Sequence, residues 1–180
     1  MLVPPRLESG DTVGVIAPSR SLSIVDEKWV GIAKEFFAQR GIGVQFAKHC
    51  RERWNETGGT IEQRVGDLME MFSDDRIKAI VTAIGGFNSN QLLDHIDYDL
   101  IAQKPKIFLG YSDITALHNA IHSKTGLVTY YGPHFSTLGQ SFPLDYTVRY
   151  FDDVLIHGKS DIEIEQSAEF VEDDWYEKTK

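Results

Sequence analysis

Very little in this 180-residue chain speaks for chemistry carried by thiols, membranes or nucleic acids. It has one cysteine, Cys50, so no internal disulfide can form, and a reducing, cytoplasmic compartment is the expectation. No apolar run approaches the roughly 20 residues that span a bilayer, so no membrane partner is expected. The opening Met1-Leu2-Val3-Pro4-Pro5-Arg6-Leu7-Glu8 lacks the apolar stretch of a secretory leader. There is no stripe of Lys and Arg interleaved with aromatics, and the net charge is −9, which argues against nucleic acid as partner. Neither G-x-G-x-x-G nor G-x-x-x-x-G-K occurs, so nucleotide phosphate binding has no motif behind it. Internal repeats and low-complexity tracts are also missing.

What remains is an ordinary globular composition, 42% hydrophobic and 25% charged, long enough for one domain with a real core. The negative charge is concentrated at the end. Residues 161–180 hold eight acidic groups against Lys178 and Lys180, a net −6, and leave −3 for the other 160 residues. That contrast divides the chain into a domain at 1–160 and an acidic linker at 161–180.

Strand-like and helix-like patterns alternate. Buried strands are expected at 12–17, 44–47, 77–84, 106–111 and 127–131, the third nearly continuous in apolar character, as a strand covered on both faces should be. Helical spacing of apolar residues runs over 23–40, from Thr60 to about 73, around 90–96, from Asp113 to Gly126 and across 145–157. Trp29, Phe36, Phe37 and Phe72 fall at core positions of the first two. Alternation of this kind predicts an α/β fold: an open, mostly parallel sheet with helices on both faces, a Rossmann- or flavodoxin-like three-layer domain. Ligands of such sheets bind beyond the carboxyl ends of the strands.

Four motifs sit at those ends: Pro18-Ser19-Arg20, Gly85-Gly86-Phe87-Asn88-Ser89-Asn90, Gly110-Tyr111-Ser112-Asp113 and Gly132-Pro133-His134. A serine on a tight strand-to-helix turn has its hydroxyl pushed out above the sheet, with the following N–H aimed at an anion beside it. Ile114 stands where a G-x-S-x-G elbow has its second glycine, and Ser112 could equally cap the helix from Asp113 onward, so this pattern alone leaves both readings open. Acyl transfer needs a second donor to the oxyanion, and a glycine pair ending a neighbouring strand can supply one, Gly86 first and Gly85 as the fallback. Asn88 and Ser89 can cap the next helix or offer amides to a substrate, and His134 can line the cleft. His118 and His122 are four apart on one helix, a spacing that could hold a metal, but the glutamate of H-E-x-x-H and a third ligand are missing, so no metal is expected. Asp152 and Asp153 show no visible partner. A glutamine-amidotransferase-like domain would need a cysteine at the elbow, and Cys50 lies elsewhere. A non-catalytic α/β domain whose glycine loop holds an anion or small molecule stays as the alternative to an enzyme.

Taken together and in order, Gly10–Ser19, Ile84–Leu93, Gly110–Leu117 and Thr125–Phe135 resemble the LD-carboxypeptidase family of serine peptidases over about residues 4–160. The Asn-Ser-Asn-Gln form of the glycine loop and the Gly-Pro-His segment are more similar to the branch containing the microcin C immunity peptidases. The resemblance implies a Ser-Glu-His triad with Ser112 as nucleophile and the backbone amides near Gly86 and Asp113 as oxyanion donors. It places Gly85, Phe87, Asn88, Ser89 and His134 in the substrate-binding surface. No cofactor is implied. The substrate class is a small peptide-like molecule, a murein peptide or a peptidyl-nucleotide. In that family the glutamate and histidine come from a second domain, so the chain alone is expected to be inactive, and an apolar patch uncovered by that domain's absence could drive homodimer formation.

Overall fold

The computed structural model describes residues 1–140 and 145–167. The part of the acidic linker at 168–180 lies outside the described residues. Five parallel strands form one sheet: β1 (Thr12–Ile16), β2 (Gly43–Phe46), β3 (Ile77–Thr82), β4 (Ile107–Gly110) and β5 (Tyr130–Tyr131), in the spatial order β2-β1-β3-β4-β5. That is the flavodoxin-like order, which reverses direction between β1 and β3. β3, in the middle, is buried along its whole length except at Lys78, as its unbroken apolar run demands.

Helices cover both faces. α1 (Glu27–Ala38) and α5 (Asp145–Phe151) meet on one side, where Phe36 and Phe37 pack edge-on against Phe151 and Phe37 stacks on Phe135. α2 (Ile61–Ser73), α3 (Tyr98–Gln103) and α4 (Thr115–Thr125) pack side by side on the other. Local chemistry sets their ends. Thr60 and Gln63 form a reciprocal capping box at the start of α2, and Gly126, at φ 73°, ends α4 in the left-handed conformation that glycine tolerates.

Several boundaries differ from expectation. The helix expected from residue 23 is split into a short 3-10 turn at Leu22–Ile24 and α1, because Val25 is extended and Asp26 accepts the N–H of Lys28 as a true cap. Trp29 is only partly buried, unlike Phe37 and Phe72. The last strand shrinks to Tyr130–Tyr131, with Leu127 pairing instead with Leu2 in an isolated bridge. The segment 90–96 is 3-10 rather than α, at Ser89–His95, and α5 continues as a π-helical turn at Asp152–Ile156. Asp152 and Asp153 are paired, with Arg40 and Lys159 respectively. The first residues of the acidic segment lie back along α5: Glu165 pairs with Arg149, and its N–H donates to the Tyr150 hydroxyl.

Candidate active site

Every motif singled out at the strand ends arrives at the same edge of the sheet, because in a parallel sheet all carboxyl ends point one way. Ser19 follows β1, the glycine loop follows β3, Ser112 follows β4 and His134 follows β5. Ser112 is exposed and has φ 61°, one of two non-glycine residues with positive φ among the described residues. A β-carbon in that region costs energy, and such strain persists only where surrounding structure enforces it. Here the N–H of Ser112 donates to the Tyr131 hydroxyl at 3.3 Å, and its carbonyl accepts from Thr115 Oγ1 at 2.6 Å. The turn is a sharp elbow, with a single 3-10 turn at Ser112–Ile114 leading into α4.

The two glycines of the loop face different neighbours. A β-carbon on Gly85 would lie 3.3 Å from Ser112 Cβ, Ser112 Oγ and His134 Nε2, so this buried glycine packs directly against both side chains. A β-carbon on Gly86 would lie 2.1 Å from Ser19 Oγ, which makes glycine obligatory there. Among the described residues, the N–H groups of Gly86 and Phe87 have no acceptor. Phe87 is 71% exposed and Tyr131 67%, and together with Tyr111 they form an aromatic rim.

What holds this loop against the elbow is the side chain of Asp113, a residue expected to act through its amide. Its Oδ2 accepts the N–H groups of Asn88 and Ser89, each at 2.9 Å, and the Ser19 hydroxyl at 2.5 Å. Ser89 Oγ donates back to the Asp113 carbonyl at 2.8 Å. Burial alone would raise this carboxyl's pKa, but the donors from Ser19, Ser89 and Asn88 outweigh it and hold the group below the usual carboxylate range. Asn88 and Ser89 are therefore loop anchors. Asn88 precedes the 3-10 turn without a side-chain cap bond, and its Oδ1 faces Ser19 instead.

Arg64, 3% exposed on α2, closes the network from below. Its guanidinium donates to the carbonyls of Pro18 and Asn88 and to Gln91 Oε1. Sequence reasoning passed over Arg64. Its signal was there, since it stands among Ile61, Val65 and Leu68 on the inward face of an amphipathic helix.

His134 is 2% exposed and lies 4.2 Å, ring to ring, from Tyr111. Its neighbour Phe135 plugs the core between Phe37 and Phe46, while the N–H groups of Phe135 and Ser136 pair with the carbonyls of Thr82 and Ala83. Its Nδ1 is 2.8 Å from Thr82 Oγ1, itself bonded to the Leu109 carbonyl. Burial, with a smaller push from His118, lowers its pKa to about 4. Such a ring is a poor base at neutral pH, and it makes no hydrogen bond to Ser112. His118 and His122 do not converge: their ring nitrogens bond the carbonyls of Gly110 and Leu127 respectively. Among the described residues no cluster of three or more His, Cys, Asp or Glu could hold a metal, and no helix is long and apolar enough to cross a membrane. Away from the site, the buried carboxylate of Asp67 accepts from both the backbone N–H and Nδ1 of His49, a pair the sequence did not reveal.

A Treponema pallidum protein named as a carboxypeptidase is 46% identical over 87% of the chain, which covers 46% of that relative. The microcin C7 self-immunity protein MccF of Escherichia coli is 36% identical over 89% of the chain, covering 47% of the relative. Among solved structures, an MccF-like protein from Bacillus anthracis superposes with a TM-score of 0.84 at 49% identity, over 86% of this chain and 47% of that one. The chain thus spans about half the length of the relatives it matches. Residues 13–132 match the family model described as the LD-carboxypeptidase N-terminal domain, and the chain belongs to that family.

Proposed function

We propose that the chain is the nucleophile-bearing half of a serine peptidase that hydrolyses amide bonds of small peptide-like substrates through an acyl-enzyme. The observation that carries this reading is the exposed Ser112 on a left-handed elbow, set directly over Gly85. In the proposed reaction Ser112 Oγ attacks the substrate carbonyl while a histidine, oriented by a glutamate, takes its proton. The N–H groups of Gly86 and Asp113 receive the developing oxyanion. Collapse expels the amine, which takes a proton from the same histidine, and water then releases the acyl group. Among the described residues no histidine bonds Ser112, so the glutamate and histidine are assigned to a second half that covers the aromatic rim. The half-length coverage of the relatives supports that assignment.

Residues 1–160 form the catalytic half in this reading, and residues 161–180 lead out of it. Gly85, Phe87 and His134 line the acyl cleft. Relatives named as carboxypeptidases and an MccF structure solved with aspartyl sulfamoyl adenosine support a small ligand with an aminoacyl group. The single cysteine, Cys50, is free and buried, which fits a reducing cytoplasmic setting. The test is labelling by a fluorophosphonate. The full-length protein should be modified at Ser112 and lose labelling and turnover in Ser112→Ala, while residues 1–180 alone should label at least a hundredfold more slowly. Normal turnover by residues 1–180 would overturn the division of labour, and labelling that survives Ser112→Ala would overturn the nucleophile.

A further inference from the structure

The peptide joining Gly85 to Gly86 has a direction that one hydrogen bond reveals. The Gly85 carbonyl accepts the N–H of Arg20, in the loop after β1, at 3.3 Å. In a trans peptide the C=O and the N–H that follows it lie in one plane and point opposite ways. The N–H of Gly86 is therefore turned away from the β1 loop. Since β3 lies between β1 and β4, that is the side on which β4 ends at the Ser112 elbow. No described residue accepts this N–H, nor that of Phe87.

The group that fixes this direction is gripped in turn. The peptide between Ser19 and Arg20 is held at both ends, because the Ser19 carbonyl accepts the N–H of Gly58 at 2.7 Å while the Arg20 N–H goes to Gly85. Ser19 is fully buried, and its hydroxyl donates to Asp113 Oδ2 at 2.5 Å. The same oxygen accepts the N–H groups of Asn88 and Ser89. One carboxylate thus holds the glycine loop twice, through Ser19 at its start and directly at its end, and the two free N–H groups lie between the grips. Arg64 joins the same loops through the carbonyls of Pro18 and Asn88, but only Asp113 belongs to the elbow itself.

We propose that the Asp113 carboxylate is a positioning residue for acyl transfer: through Ser19 and through the amides of Asn88 and Ser89 it sets the direction of the Gly86 N–H, the second donor to the oxyanion. This rests on Ser112 being the site of acyl transfer. The nucleophile, the first donor and the alignment of the second donor then all come from residues 112 and 113, so the three parts keep one geometry although the donors stand on different loops. The carboxylate touches no substrate in this account. Replacing it leaves the Asp113 backbone N–H in place, so side-chain variants disturb the second donor and spare the first.

The test follows fluorophosphonate modification of Ser112 in the full-length protein, because attack on phosphorus also builds negative charge on an oxygen. In Asp113→Ala the rate constant at saturating reagent, kinact, should fall about a hundredfold, the scale of one lost oxyanion donor, with KI within about twofold of the parent. Asp113→Asn keeps an oxygen for the three donors but not the charge, and should recover all but about tenfold. Loss of packing alone would lower the fraction of protein that labels, not the rate constant of the folded remainder. An unchanged kinact in Asp113→Ala, or a loss that falls on KI, overturns the proposal. A second readout does not depend on reactivity. In ¹⁵N-glycine-labelled protein the residual dipolar coupling of the Gly86 N–H should change in Asp113→Ala while that of Gly14, within β1, stays in place. If the reagent fails to label Ser112 in the parent protein, the serine-peptidase reading falls, and the coupling alone decides the positioning: an unchanged Gly86 value overturns it.

Discussion

At the scale of single residues, the site is defined by groups held where they are not most comfortable. Ser112 at φ 61° keeps its β-carbon in a region that normally favours glycine. Removing that β-carbon should be visible in stability: Ser112→Gly is expected to be about 1 kcal/mol more stable than Ser112→Ala, read from urea midpoints, although both lose the hydroxyl. Equal midpoints would mean that the elbow stores no strain. Asp113 shows how little of a residue's surroundings a local pattern carries. Its position after Ser112 suggests an N–H aimed at an oxyanion, but nothing in Gly-Tyr-Ser-Asp says that its carboxylate will collect Ser19, Asn88 and Ser89. Those partners lie 94, 25 and 24 positions away in the chain.

At the scale of elements, the glycine loop after β3 is positioned by neighbours. Its two glycines let Ser112, His134 and Ser19 approach its backbone closely, while hydrogen bonds that seat it come from Asp113 at the head of α4 and Arg64 on α2. Arg64 satisfies the carbonyls of Pro18 and Asn88, which belong to the loops after β1 and β3. Arg64→Met preserves bulk but leaves those carbonyls without their donor, so a loss of about 3 kcal/mol is expected, measured by chemical denaturation. Amide exchange at residues 85–89 should accelerate in the same variant before global unfolding does, because the loop loses the donor to its Asn88 carbonyl. An unchanged exchange pattern would assign the seating to Asp113 and the segment Ser19–Arg20 without Arg64.

At the scale of the whole molecule, burial of neutral imidazoles links stability to pH. In the unfolded chain His134 takes up a proton near pH 6.5, whereas in the folded protein it resists until about 4. Between those values the unfolded state binds more protons, so this contribution is complete above pH 6.5 and is lost as pH falls through the window, reaching about 3 kcal/mol near pH 4. Denaturation across that range should show the slope, and His134→Gln should flatten it, leaving the smaller contribution of His118, whose pKa burial also lowers. By itself the sequence determined the layers and the edge where chemistry would lie. Apolar periods of two and 3.6 are local properties, and a parallel sheet carries every strand-ending motif to one side. Helix ends set by local rivals, such as Asp26 against the apolar spacing at Val25, were legible only in outline. Tertiary structure alone decided which of those motifs touch: that Gly85 and not Gly86 packs against Ser112, that Arg64 and Asp113 tie the loops together, and that the His134 ring meets Thr82. These are contacts between residues 24 to 94 positions apart, made by distances and lone pairs that no local pattern encodes.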